Sequence, residues 1–194
     1  MVAQRDQVRR TWREGEMLVQ GLGQLRQLGY VVRDIHAAMD HWTRRLGVGP
    51  FFYFERAPVL DFHYRNEPSR AAASGAFSNL GAVQIELIQP LDDHPSVFND
   101  FLNSGLEGLQ HFAFWTQEFD ACVERFAAQG AAIVQQGYTG NRNGRFAYFE
   151  TEAHPGTMIE ISEVQDKKAE LFERVAEASR RWDGSDPVRS LSTP

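Results

Sequence analysis

A repeated pattern constrains this chain more than any single motif does. The segment QLGYVVRD at Gln27–Asp34 lies over HFAFWTQE at His111–Glu118, and both end on an acid that can start a helix. The match continues as DIHAAMDHWTRRLG over EFDACVERFAAQGA. Each copy reads as a strand, a helix and three or so further strands. Such a chain forms two similar βαβββ modules, not two unrelated domains. Its 194 residues suffice for one good-sized domain or two small, closely packed halves.

Turn residues and periodicity set the expected elements. A strand over about Leu25–Val32 precedes a helix capped by Asp34 and running to about Leu46, where Gly47, Gly49 and Pro50 stop it. Strands are expected at Phe51–Arg56, Val59–Arg65, Ala72–Phe77 and Ala82–Ile88. A connector with a short helix capped by Ser96 follows. The second cycle then has a strand at Leu109–Trp115, a helix at Glu118–Gln129, and strands near Ala132–Gln136, Arg145–Glu150 and Thr157–Ser162. The loop Tyr138–Arg145 carries Gly140, Asn141 and Gly144 and is the expected lid. Amphipathic helices are expected at both ends, over residues 3–20 and about Gln165–Trp182, with a disordered Ser/Pro-rich tail from Gly184. The resulting division is an N-terminal helical extension (1–23), a central domain (24–163) and a C-terminal helix and tail (164–194). Within the domain, module one is 24–91, a linker 92–107 and module two 108–163.

Strand alternation separates two faces in each module. Leu28, Tyr30 and Val32 share one face of the first strand, and Gln27, Gly29 and Val31 the other. In its repeat partner Phe112 and Phe114 lie opposite His111 and Ala113. The last strands behave alike: Ile85 and Leu87 oppose Glu86, and Ile159 and Ile161 oppose Glu160. The bulky faces suit packing beneath a helix. The other faces carry small residues beside one polar group. Buried carboxylates need a cation, a proton or hydrogen bonds. On a half-exposed antiparallel sheet, Glu86 and Glu160 would simply face solvent. The matched placement of all four polar residues favours instead a divalent ion held by two carboxylates, one imidazole and one amide oxygen. That donor set suits Zn, Ni, Co, Mn or Fe.

Bulk properties exclude other classes. A formal net charge of −6 and the lack of a Lys/Arg cluster give no reason to expect nucleic acid. No segment is apolar for long enough to span a bilayer, and the charged N-terminus does not read as a signal peptide, so a cytoplasmic setting is expected. The single Cys122 rules out an internal disulfide and a cysteine-based zinc cluster. Fourteen Phe residues imply a large apolar interior or pocket.

Over about Leu25–Glu163 the sequence resembles the vicinal oxygen chelate superfamily, which includes glyoxalases, methylmalonyl-CoA epimerases and bleomycin-resistance proteins. The stretches IELIQPLDDHPSVFNDFL, GLQHFAF and HPGTMIEISE are most similar to its epimerase-like branch. The resemblance implies an α+β fold in which paired βαβββ modules curve one sheet around a central cavity. It places the metal ligands on Gln27, Glu86, His111 and Glu160. Epimerases of this type have His where Gln27 stands, whereas eukaryotic-type glyoxalase I is similar to this chain there. The glutathione-binding Arg and Asn of glyoxalase I correspond to Val31 and Pro90, which speaks against a glutathione substrate.

The resemblance further implies a metal-dependent isomerase, epimerase or lyase that enolises a small carbonyl or acyl substrate. Glu160 is the first candidate for the base and Glu86 the second. A non-enzymatic, resistance-type binding protein and a ring-cleaving dioxygenase are the alternatives; one His among four ligands counts against the second. Phe51–Phe54 and Phe62 would line a pocket for a hydrophobic or aromatic substrate, or fill the core. Arg142 and Arg145 are candidates for pairing with a substrate anion. His63 is a weaker candidate for the cavity. Unburied stripes on the terminal helices pack on the body or in a homodimer, the family's common state.

Overall fold

In the computed structural model the described residues are 17–191, apart from 141 and 143. The first strand, β1 (Gln27–Val31), is followed by helix α1 (Ile35–Arg44), and then by β2 (Phe51–Phe54), β3 (Val59–Tyr64), the short β4 (Glu67–Pro68), β5 (Ala73–Leu80) and β6 (Val83–Pro90). A connecting helix α2 (Val97–Asn103) leads to β7 (Gly108–Thr116), α3 (Phe119–Ala128), β8 (Ile133–Thr139), β9 (Arg145–Phe149) and β10 (Met158–Glu163). The chain closes with α4 (Asp166–Arg180) and β11 (Val188–Ser190). Asp34 and Ser96 cap α1 and α2 as their positions imply, accepting the amides of Ala37 and Asn99. Glu118 begins α3 without a side-chain cap bond.

All eleven strands form one curved, open sheet in the order β11-β2-β5-β6-β1-β7-β10-β9-β8-β3-β4. The modules meet where β1 runs antiparallel to β7. On one side of the sheet, α1 buries Ile35 and Met39 against Phe51, Ile85 and Leu87. On the matching part of module two, α3 buries Phe119 and Phe126 against Phe149, Ile159 and Ile161. Leu28 and Tyr30 pack into the first cluster and Phe112 and Phe114 into the second. Full burial of such side chains contributes roughly 1.5–3 kcal/mol each. The helix-covered faces are thus the ones the alternation assigns.

Two departures concern segments beyond the strict repeat, and a further segment, α4, takes one of its two expected placements. The strand beginning at Val59 falls in module one by sequence, yet β3 pairs antiparallel with β8 at the far edge of module two. The tail from Gly184 is not without structure: β11 adds to β2 in parallel and covers the opposite edge. Helix α4 folds back on its own chain, with Ser179 Oγ accepting the Asn79 amide and Phe172 against Phe77 and Trp115. The helix expected over residues 3–20 lies mostly outside the described residues, and its described end runs as turns. Among the described residues no helix is long and apolar enough to cross a membrane.

Candidate metal centre

The four singled-out residues lie on the four central strands, in the order Glu86 (β6), Gln27 (β1), His111 (β7) and Glu160 (β10). Register arranges them in two rows. Glu86, Gly29 and His111 are neighbours across β6, β1 and β7. Gln27, Ala113 and Glu160 are neighbours across β1, β7 and β10. Each row has polar ends and a small centre. Adjacent strands lie about 4.8 Å apart, so the polar ends converge above the small residues.

Convergence is closest at His111. Its Nε2 lies 3.3 Å from Glu160 Oε2 and 3.5 Å from Glu86 Oε2. Ligand atoms of all three residues fall within 4.8 Å of one another. His111 is fully buried, and Glu86 and Glu160 side chains are only 15% and 6% exposed. The carboxylates are within ion-pair distance, but Nε2 has no hydrogen-bond partner among the described residues. It is a buried polar atom awaiting a cation or a proton.

A bulge aims this imidazole. The β1–β7 register shifts between Gly29 and Tyr30, leaving Gln110 as the extra residue on β7. Gln110 is buried; its Nε2 donates to Met158 Sδ at 3.0 Å, and its Oε1 lies 2.7 Å from His111 Nδ1. Nδ1 therefore donates, and in the neutral ring the Nε2 lone pair is left facing the two carboxylates. Gly29 supplies the space. A Cβ there would stand 1.9 Å from His111 Cε1, so any larger residue displaces the ring. Across the rows, the Gln27 amide donates to Gln84 Oε1 at 2.8 Å, which fixes its orientation and leaves its own oxygen free of that bond.

Electrostatics distinguish the two carboxylates. Burial pushes the Glu86 carboxyl up, and the charge of Glu160 adds to this, against the pull of His111. Burial acts on Glu160 too, but His111, Lys168 and Ser162 outweigh it and hold Glu160 below the ordinary value. Burial disfavours the His111 imidazolium, yet the two carboxylates raise it from 6.5 to about 9. Tyr148, Glu160's neighbour on β9, is buried with its ring 4.9 Å from His111; desolvation and the two carboxylates keep its hydroxyl protonated.

Gln27, Glu86, Tyr148 and Glu160 form the floor of a cavity of about 380 Å³, and His111 is buried behind them. Its walls are largely aromatic, with Phe54, Phe62, Phe77, Phe98, Phe146 and Phe172. Of the aromatic run read as pocket or core, Phe54 and Phe62 line the cavity, whereas Phe51 is core. Arg142 pairs with Asp61, and Arg145 with Glu163 and Asp120. Neither lines the cavity, so the structure does not place them where the expected substrate anion would sit. His63 bonds the Asp61 carbonyl outside the cavity. Sequence reasoning missed Gln110, Tyr148 and Lys168. Only Gln110 had a visible signal, as the polar residue interrupting alternation directly before His111.

A curved sheet of paired modules carrying a His/Glu/Glu cluster on its concave floor defines a glyoxalase-like protein. The family model of the Glyoxalase/Bleomycin resistance protein/Dioxygenase superfamily matches residues 26–149, and the chain belongs to that superfamily. No curated protein sequence matches it. Among solved structures, a hypothetical protein from Bacillus halodurans C-125 is similar with a TM-score of 0.54 at 18% identity, covering 74% of this chain and 96% of that one. The methylmalonyl-CoA epimerase from Mycobacterium tuberculosis gives 0.51 at 24% identity, covering 75% and 91%. At these identities the likeness is one of fold.

Proposed function

We propose that this protein is a metal-dependent isomerase, epimerase or lyase that enolises a small carbonyl or acyl substrate. The observation that carries this reading is the cluster of Glu86, His111 and Glu160, whose ligand atoms lie within 4.8 Å of one another, with both carboxylates lining an apolar cavity and His111 buried behind them. His111, Glu86 and Glu160 would hold a divalent ion, with the Gln27 oxygen as fourth donor; the donor set suits Zn, Ni, Co, Mn or Fe. When bound, the ion supplies Lewis-acid stabilisation of the enolate oxygen.

The chain's own groups do the rest. Gln110 holds the imidazole in the tautomer that leaves Nε2 available. The aromatic walls exclude water and bind the apolar part of the substrate. One carboxylate takes the proton beside the carbonyl. The sequence put Glu160 ahead of Glu86 for this, but the charges around them favour Glu86. Glu160 is held ionised by His111, Lys168 and Ser162, which suits a ligand; Glu86 is the more basic and more exposed of the two. Tyr148, protonated and beside Glu160, can return a proton to the far side of the site.

The test is metal content with proton exchange. Wild type, His111→Ala and Glu160→Ala are incubated with divalent ions, desalted and assayed by elemental mass spectrometry. Deuterium incorporation into 2-oxo, 2-hydroxy and acyl-thioester compounds is then followed. Wild type should retain close to one ion per chain and the variants little. Equal, low content in all three sinks the reading. The aromatic cavity also favours a second reading, a small-molecule binding protein. Metal retention with ligand binding, but no exchange into any compound, would establish that one instead.

A further inference from the structure

Charges around the cavity are unevenly placed. Glu86 and Glu160 are on its floor, while Lys167, Lys168 and Arg174, all from α4, line it from above. No other charged side chain lines it among the described residues. Lys167 and Arg174 are exposed at the mouth, but Lys168 is buried. The family model ends at residue 149, so α4 and the three cations it brings to the cavity lie beyond the segment it matches.

Lys168 is incompletely satisfied. Its Nζ donates to Ser162 Oγ at 2.7 Å and lies 5.9 Å from the centre of the Phe172 ring. An ammonium has three donors, and among the described residues it forms no ion pair. Glu163, the adjacent acid on β10, is already taken by Arg145. A buried ammonium with spare donors is costly unless an anion completes it. The site's charge count points the same way. Two carboxylates would offset the two charges of a divalent ion, which leaves the three cations of α4 without a counter-charge among the groups lining the cavity.

We propose that the cavity takes an anionic substrate, an apolar body bearing one carboxylate, and that Lys168 Nζ is its anion-binding group. This rests on the metal-dependent reading above and adds the substrate class to it. Ser162 stands two residues beyond Glu160 on the same face of β10, a step of roughly 6.5 Å. The carboxylate would therefore be joined to the reacting carbon by a short spacer. Aromatic walls around the remaining space match the apolar body.

The experiment compares 3-phenylpropionate with its neutral amide, 3-phenylpropanamide, by isothermal titration calorimetry on zinc-incubated protein at neutral pH. Metal content is measured on the same samples. Wild type should bind the carboxylate about tenfold or more tighter than the amide, as expected for a charge-assisted hydrogen bond. Compared in samples matched for bound zinc, Lys168→Met should lose that preference, and Lys168→Arg should regain part of it. Should Lys168→Met fail to fold, Lys168→Gln serves the same comparison. A preference retained without the lysine places the carboxylate on the ion and overturns the proposal. So does a wild type that binds both probes equally or neither. Failure of wild type to retain zinc sinks the metal reading instead, separately from the anion comparison.

Discussion

Gly29 and Ala113 occupy the same place in the two modules and face different partners. Ala113 lies across from Gln27, and Gly29 across from His111. A flexible amide tolerates a methyl group opposite it. The imidazole does not, since a Cβ at position 29 would overlap the ring. The last strands differ in the same way. Glu86 and Glu160 are equivalent in the repeat, but Ser162 supports Glu160, and Lys168 acts on Glu160 more strongly than on Glu86. Duplication supplied two similar halves; their neighbours hold Glu160 below the ordinary carboxylate value and leave Glu86 above it.

That contrast can be broken most severely at His111. His111→Ala should abolish retention of divalent ions, while Gln27→Ala, on the amide side, should weaken it without abolishing it. Elemental analysis after desalting checks both, and equal losses would erase the distinction between modules.

Next come the paired carboxylates. Glu86→Gln should retain the ion and slow deuterium exchange by about 10²–10⁴-fold, whereas Glu160→Gln should lose the ion. The reverse outcome would restore Glu160 as the base.

A third pair probes the supports. Gln110→Leu should weaken metal affinity by about 10–100-fold, the usual cost of removing a group that orients a ligand. Gln84→Leu, which frees the Gln27 amide, should do less. Competition with a chelator would rank them. Gly29→Ala should cost about 1–3 kcal/mol of stability through overpacking, and Ala113→Gly about 0.5–1 kcal/mol through backbone entropy. Denaturant melts of the metal-free protein would show whether the order holds.

A last contrast is read through pH. In metal-free protein the His111 imidazolium is stabilised, with its value raised from 6.5 to about 9. A raised folded-state value adds stability that is complete below the unfolded value and is lost as pH rises through about 9. Melting temperature should therefore fall between pH 7 and 10. Bound zinc, which takes the place of the proton, should remove most of that slope. A metal-free protein with a flat profile over this range would mean that His111 is neutral when folded.

Much of the centre was legible because alternation and duplication are local signals. Gln27 and His111 align in the repeat, and Glu86 and Glu160 each interrupt an apolar run, so the cluster of Glu86, His111 and Glu160, with Gln27 at the same cavity, could be read without coordinates. What escaped was non-local. The bulge at Gln110 depends on how β7 pairs with β1. Lys168 reaches the cavity only because α4 folds back across β5, and an amphipathic stripe does not reveal what it will cover. Val59–Tyr64 reads plainly as a strand, but nothing within it tells which edge it will join.

That last strand carries a consequence for how the chain comes into being. β3 is made early in synthesis, and its partner β8 belongs to the other half. Until Ile133–Thr139 has been made, β3 has only the short β4 as a hairpin partner, so the first module cannot finish as an independent unit. The hairpin works as a clasp across the duplication, and it favours unfolding in a single cooperative transition over melting of one half before the other.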